Sequence, residues 1–346
     1  MKAAGGGARP WARRRWNGAG EDQLSKPMVW LIAALGLALA APVQAQPYPD
    51  RPVRIVVGFP PGGGLDVLVR GVAQELTTRW GKSVVVDNRP GASSLIAAEN
   101  VVNAAPDGYT LLAVTDQIFL SNRFTFKKLP YDPQTSFAAI TLMARTEQFV
   151  LAHPDVPATT LAELVALDKR KPSGLAYGTW GDGSPAHLVY ETLNKKAGTA
   201  FLGVAYKGVA PVLTALTANE VQLTVGSSGV AGQLLRANKV KALAFAGPAR
   251  STEFTDVPTT TEAGFPDIQA FIWFGLVAPA GTPAAIIDRI SADTRDVLRQ
   301  PAVAQRLVSS LGWRLVASTP AEMEATIRNE LPIIRDMIAN AGVKPQ

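Results

Sequence analysis

Residues 53–80 read VRIVVGFPPGGGLDVLVRGVAQELTTRW, with three consecutive glycines between a β-branched run and a helically spaced one. Val53 to Val57, apolar but for Arg54, read as a buried strand. Leu65, Leu68, Val69, Val72 and Leu76 then recur on one helix face, and Gly81 stands where that helix would stop. Glycine has no Cβ and tolerates positive φ, so the loop between them can bring bare backbone close to a ligand. A strand, a glycine turn and a helix N-terminus together favour an anion, because free N–H groups and the helix dipole point the same way. The stretch predicts an α/β fold with an anion at the mouth of its first βα unit.

The rhythm continues outward. Ser83 to Asp87 reads as a strand, Ser94 to Ala104 as a helix and Tyr109 to Val114 as a strand. A looser, Pro-punctuated stretch from Phe124 to Ser136 precedes a second alternating block that begins near Glu147. There Leu175 to Gly178, Val221 to Val225, Lys241 to Ala246 and Phe271 to Val277 read as strands. Thr160-Leu-Ala-Glu163 is a capping-box pattern. Thr282-Pro283 and Thr319-Pro320-Ala-Glu322 read as helix starts with Pro in the first helical position. Two α/β blocks predict two lobes, and the pattern alone leaves open which lobe takes the C-terminal stretch.

The chain has 346 residues, 47% of them hydrophobic, enough for one or two sizeable cores. Its first 45 residues are of another kind. Arg13, Arg14, Arg15 and Lys26 precede the apolar run Met28 to Ala41, which Pro42-Val43-Gln44-Ala45 follows. The run is short for a membrane span, which needs about 20 residues, and Val43 and Ala45 suit a cleavage site. Residues 1–45 are therefore expected to be a secretory signal peptide cleaved near Ala45, which places the mature protein in the periplasm. The arginine triplet lies too far from the apolar run to favour the twin-arginine route.

Removing that leader lowers the net charge from +6 to +2, so the basic balance gives no reason to expect nucleic acid. The absence of cysteine excludes disulfides, thiolate metal sites, a Cys nucleophile and a lipidated Cys anchor. With only His153 and His187, neither a metal nor another cofactor is expected. Nucleotide motifs fail as well. GxGxxG meets Val67 where its last glycine belongs, and Gly81-Lys82-Ser83 follows a helix rather than a strand. No GxSxG elbow occurs, since Gly226-Ser227-Ser228-Gly229 has the wrong spacing.

A second loop repeats the chemistry of the first. Tyr177-Gly178-Thr179-Trp180-Gly181-Asp182-Gly183-Ser184-Pro185 runs from a strand to a helix, with Ser184 placed to cap it and Pro185 in its first turn. Taken alone it could be an ordinary βα turn. Two such loops in two lobes could instead hold the two ends of one small dianion.

Several segments, in order, resemble one family: YPDRPVRIVVGFPPGGGLDVL, VVVDNRPGA, AAPDGYTLL, KKLPYDP, AYKGVAPVL, DVPTTTEAGFP and WFGLVAPAGTP. From about Tyr48 to the C-terminus the chain closely resembles the solute receptors of tripartite tricarboxylate transporters, the Bug/TctC-type proteins. The resemblance implies a type II periplasmic-binding-protein fold: two Rossmann-like α/β lobes with a ligand cleft and a hinge. It places residues 46–147 and 270–346 in lobe 1 and residues 148–269 in lobe 2. It also implies that the two glycine loops bind ligand carboxylates through backbone N–H groups and ordered water. On this chain those loops are Pro61, Gly62, Gly63, Gly64, Leu65 and Asp66, and then Gly181, Asp182, Gly183, Ser184, Pro185, Ala186 and His187.

Individual residues admit duller roles too. Asp66 suits a dipole-complementing place in the first helical turn as well as a ligand contact. His187 reads as a packing or backbone-bonding residue rather than a proton carrier. Lys207 is either a cleft cation or a solvated lysine. Trp80, Trp273 and Trp313 read as core. Departures from the family pattern fall at Ser93-Ser94, where relatives often have Gly-Gly, at Thr115-Asp116-Gln117, at Trp180 and at Gly226-Ser227-Ser228. Asp116 could meet a ligand amine or hydroxyl but would repel a further carboxylate, which argues against citrate. Trp180 could offer an aromatic wall to an aromatic acid.

The expectation is a non-catalytic, monomeric receptor that captures a di- or aromatic carboxylate by hinge closure and docks on integral-membrane subunits of the transporter. Two alternatives stand beside it: a sensor that passes occupancy to a membrane kinase, and a serine hydrolase built on Ser184 or Ser228 with His187.

Overall fold

The glycine-flanked strand and helix form where their periodicity places them. The structure, a computed structural model, describes residues 48–345 apart from 171–173, 182, 207, 208, 248 and 252. The predicted signal peptide, Asp182 and Lys207 lie outside the described residues. Strand β1 spans Val53–Val57 and helix α1 spans Gly64–Trp80. Leu68 and Leu76 of α1 are fully buried, each contributing about 1.5–3 kcal/mol. Gly81 ends the helix at φ 63° and its N–H donates to Thr77 O.

The remaining strands are β2 (Val84–Asn88), β3 (Thr110–Thr115), β4 (Phe137–Ala152), β5 (Ala176–Thr179), β6 (Leu202–Ala205), β7 (Leu223–Ser227), β8 (Lys241–Phe245), β9 (Phe271–Pro279) and β10 (Arg314–Leu315). The helices after α1 are α2 (Leu95–Val102), α3 (Asn122–Thr125), α4 (Leu161–Arg170), α5 (Pro185–Ala197), α6 (Val209–Thr217), α7 (Ser228–Arg236), α8 (Ala284–Arg299), α9 (Pro301–Leu307) and α10 (Pro320–Asn340).

The strand order is β2-β1-β3-β9-β4-β7-β5-β6, with β8 and β10 also on β4. In the first sheet β2, β1 and β3 run parallel, and β9 and then β4 join antiparallel. The long strand β4 serves both sheets. Up to Glu147 it pairs with β9, and from Gln148 it pairs with β7, with β8 added from Phe149. In the second sheet β5 lies parallel to both β6 and β7. One apolar cluster joins α1 and α8 to the first sheet, and another lies under α6. A third runs through both sheets, and in it α10 packs on β4 and also against α5.

Local signals hold with informative shifts. Helix α2 starts at Leu95 because Ala92, Ser93 and Ser94 adopt φ of 45°, 51° and 69°, outside the right-handed helical region. Such a run is unfavourable for L-residues by roughly 1–2 kcal/mol each. Glycine relieves that strain but adds unfolded-chain entropy, so Ser93→Gly is expected to raise stability by about 1 kcal/mol. A fall in the urea midpoint would show instead that contacts made by Ser93 outweigh its strain. Thr319 and Glu322 complete the predicted capping box of α10. At α4 the Glu163 N–H donates to Thr160 Oγ1, but the Glu163 carboxylate accepts from Thr159 N, one residue early. Pro283 occupies the cap of α8 rather than its first helical position, and Thr282 Oγ1 donates to Pro279 O.

Candidate functional site

The C-terminal ends of parallel strands converge on one cavity of about 660 Å³. This is the usual ligand position in open α/β sheets, where strand ends leave helix N-termini facing a crevice. After β1 come Gly63, Gly64 and Leu65; after β5 come Trp180, Gly181, Gly183 and Ser184. Ser227 ends β7, and Val209 opens α6. Four helix starts therefore reach the cavity, those of α1, α5, α6 and α7. Helices α1 and α7 carry no side-chain cap, so their first N–H groups are left for something else to satisfy. Among the described residues lining the cavity, Asp116 is the one charged side chain and no lysine or arginine is present.

The two glycine loops are built alike. Asp66 is 2% exposed and does not line the cavity. Its Oδ2 accepts from Gly62 N at 2.9 Å and Arg70 Nε at 2.9 Å, and its Oδ1 from Asn88 Nδ2 at 2.8 Å. Burial tends to raise this carboxyl, but the hydrogen bonds from Arg70, Gly62 and Asn88 outweigh it and hold Asp66 below the usual aspartate range. In the second loop His187 Nδ1 accepts from Gly183 N at 3.1 Å, again four residues back. Ser184 Oγ lies 2.6 Å from Thr179 Oγ1 and accepts from His187 N. Asp66 and His187 thus hold the loops from behind. Gly64 is needed at its position because a Cβ there would lie 2.8 Å from the Trp313 ring.

Of the predicted residues, the structure brings Gly63, Gly64, Thr115, Asp116, Trp180, Gly181, Gly183, Ser184 and Ser227 to the cavity wall. Pro61, Gly62, Asp66 and His187 stand outside that wall. Trp80 and Trp273 pack in apolar clusters as expected, and Trp313 packs on the same cluster as Trp80 while also facing the cavity, its ring 4.4 Å from that of Phe274. Sequence reasoning also missed Ser93, whose carbonyl accepts from Gln117 Nε2 and Asn122 Nδ2, each at 3.2 Å. The Ser-Ser pair in a glycine position was the available signal.

Asp116 follows β3 and lies beside β9. Burial first, and the nearby Glu330 charge second, push its carboxyl up to about 7. Its own N–H, the Trp273 N–H and Arg145 act in the opposite direction. Glu330 is itself paired with Arg145 and accepts from Trp273 Nε1 at 3.0 Å. Next to Asp116, Thr115 is 7% exposed and its Oγ1 has no hydrogen-bond partner. A buried, unpartnered hydroxyl on a cavity wall is a group that a ligand or water would satisfy.

The geometry corrects the hydrolase alternative. The His187 Nδ1 is taken by Gly183, and Ser228 Oγ donates to Gly312 O at 2.6 Å, so neither serine has a base. Among the described residues there is no group of three His, Cys, Asp or Glu side chains that could hold a metal ion.

Residues 68–342 match the model of the family described as tripartite tricarboxylate transporter family receptor. The chain belongs to that family. It is 30% identical to BugT of Bordetella pertussis, over 92% of this chain and 99% of that one. Solved structures agree. Rpa4515 of R. palustris with adipate shares 31% identity at TM-score 0.73, covering 86% of this chain and 100% of that one. MatC of Rhodopseudomonas palustris with bound malate shares 29% at TM-score 0.67, covering 84% and 100%. The fold is the two-lobed periplasmic-binding-protein fold, and this family member is a receptor rather than an enzyme.

Proposed function

We propose that the protein is an exported periplasmic receptor that captures a small organic carboxylate, a diacid or an aromatic acid, and presents it to the integral-membrane subunits of a tripartite tricarboxylate transporter. The observation that carries this is a cavity ringed by four helix starts with no lysine or arginine among its described lining residues. Carboxylates would be held there by N–H groups and helix dipoles rather than by fixed cations. Adipate and malate in the two structural neighbours agree with such a site. Among the described residues no helix is long and apolar enough to cross a membrane. Capture would proceed by closure of lobe 1 (46–147 and 270–346) on lobe 2 (148–269), favoured by ligand contacts that only the closed state completes. Support for that hinge comes from β4, whose pairing partner changes between Glu147 and Gln148. The receptor would act as a monomer.

A thermal-shift screen of the purified protein tests the reading, because stabilisation grows with the logarithm of ligand over its dissociation constant. The panel holds dicarboxylates, citrate, amino acids, nicotinate and terephthalate-like acids. Stabilisation by an organic acid is expected; no shift with any of them would contradict the reading. Trp180 supplies a second test. Trp180→Ala should weaken an aromatic acid about tenfold while leaving an aliphatic diacid nearly unchanged. Equal effects on both would remove Trp180 as an aromatic wall.

A further inference from the structure

The end of the cavity beside β3 and β9 has a different chemistry from the glycine-loop end. Asp116 places a carboxyl there, and Thr115 adds a buried hydroxyl whose Oγ1 has no partner. The groups facing Asp116 from the packed elements are Glu330 of α10, Arg145 of β4 and the Trp273 N–H of β9. Arg145 is engaged by Glu330 and lies over the Phe271 ring at 4.2 Å, so it sits behind the wall, and it is not a lining residue. A ligand carboxylate at this end would meet a carboxyl with a second carboxylate behind it, and no described lining cation. A ligand N–H or O–H would instead find acceptors in Asp116 and Thr115. Between the two ends, Phe59, Phe274 and Trp313 give apolar wall.

We propose that Asp116 and Thr115 form a donor-reading end of the cavity, so that this receptor takes a monocarboxylate whose far end carries an ammonium or hydroxyl group, in preference to the matching dicarboxylate. The proposal rests on the carboxylate reading and replaces its diacid with a donor-headed acid. One carboxylate sits at the helix starts, an aliphatic or aromatic spacer lies against the rings, and the donor head meets Asp116. A buried acceptor left facing another acceptor is costly, so the discrimination falls on the second carboxylate.

Matched pairs differing only at the far end provide the test: adipate against 6-aminohexanoate and 6-hydroxyhexanoate, and terephthalate against 4-(aminomethyl)benzoate and 4-hydroxybenzoate. Dissociation constants are measured by calorimetry at pH 8, where the Asp116 carboxyl is mostly ionised. The donor-headed member of a pair is expected to bind at least about tenfold tighter than its diacid. Asp116→Asn should narrow that gap, chiefly by improving the diacid, and Thr115→Val should weaken the donor-headed acid alone. Thermal midpoints of both variants show that they remain folded. Tighter binding of the diacids, or an equal effect of Asp116→Asn on both members, overturns the donor-reading end while leaving the carboxylate reading intact. If no acid of any pair or of the wider panel binds, the carboxylate reading itself fails and this proposal falls with it.

Discussion

Replacing Glu330 by alanine is expected to destabilise the protein by about 3–5 kcal/mol, the range for breaking a buried ion pair from one side. The Glu330 and Arg145 side chains are only 10% and 9% exposed, and the pair joins α10 to β4. Glu330 also accepts from Trp273 Nε1, so the substitution removes the acceptor of a fully buried indole. Urea unfolding gives the magnitude. A loss below about 1 kcal/mol would mean that water or a rearranged partner replaces the carboxylate at little cost. Glu330→Gln gives a second readout, because it removes the charge that raises Asp116 and leaves Arg145 to lower it. The Asp116 carboxyl is then expected to titrate below 7 but still above the usual aspartate range, because burial, the larger cause, remains. The sign for stability follows from proton uptake. In the folded wild type Asp116 holds a proton that the unfolded chain releases above its ordinary value near pH ~4. Stability from this group therefore declines as pH rises from about 4 towards 7, and Glu330→Gln or Asp116→Asn should flatten that slope. An unchanged slope in both variants would show that another group dominates it.

Asp66→Ala should produce the second large effect, about 2–3 kcal/mol of stability together with a loss of ligand affinity of tenfold or more. The carboxylate is buried and answers three donors, so alanine leaves the Gly62 N–H without its acceptor and the Asn88 amide with Phe59 O alone. The first loop then loses its anchor just where α1 presents its N-terminus. Asp66 does not line the cavity, so an affinity loss would report loop order rather than a lost ligand contact. The Asp66 carboxyl is depressed in the folded state. Its stabilisation is therefore complete above the unfolded value near ~4 and disappears as pH falls through the folded one. Retained affinity with lowered stability would show that the loop keeps its shape without Asp66.

These two residues also show what the sequence made legible. The β1–α1 unit could be read because strand and helix each have an apolar period that tertiary packing then uses. The paired glycine loops could be located because glycines between a strand-like run and a helically spaced one are a local signal. The role of Asp66 was only half legible. Its place in the first helical turn was visible, but its contact with Asn88 needs the parallel pairing of β1 with β2. Glu330 and Arg145 stand 185 residues apart, and no local pattern joins them. The late start of α2 reflects three positive φ values that serine and alanine do not advertise. Trp313 packs on the apolar cluster as a large ring is expected to, but no local signal showed that it would also lie over Gly64 at the cavity wall. Long-range packing, rather than local propensity, decided each of these.

A ligand carboxylate held by helix starts owes its affinity to its negative charge. The direct measurement is calorimetric titration of ligand-stripped protein, unfolded and refolded first, with each stabilising acid and with its methyl ester or primary amide. The acid is expected to bind, and the uncharged derivative to bind at least about a hundredfold more weakly. Equal affinity for acid and ester would contradict it, because the helix starts would then be holding no negative charge.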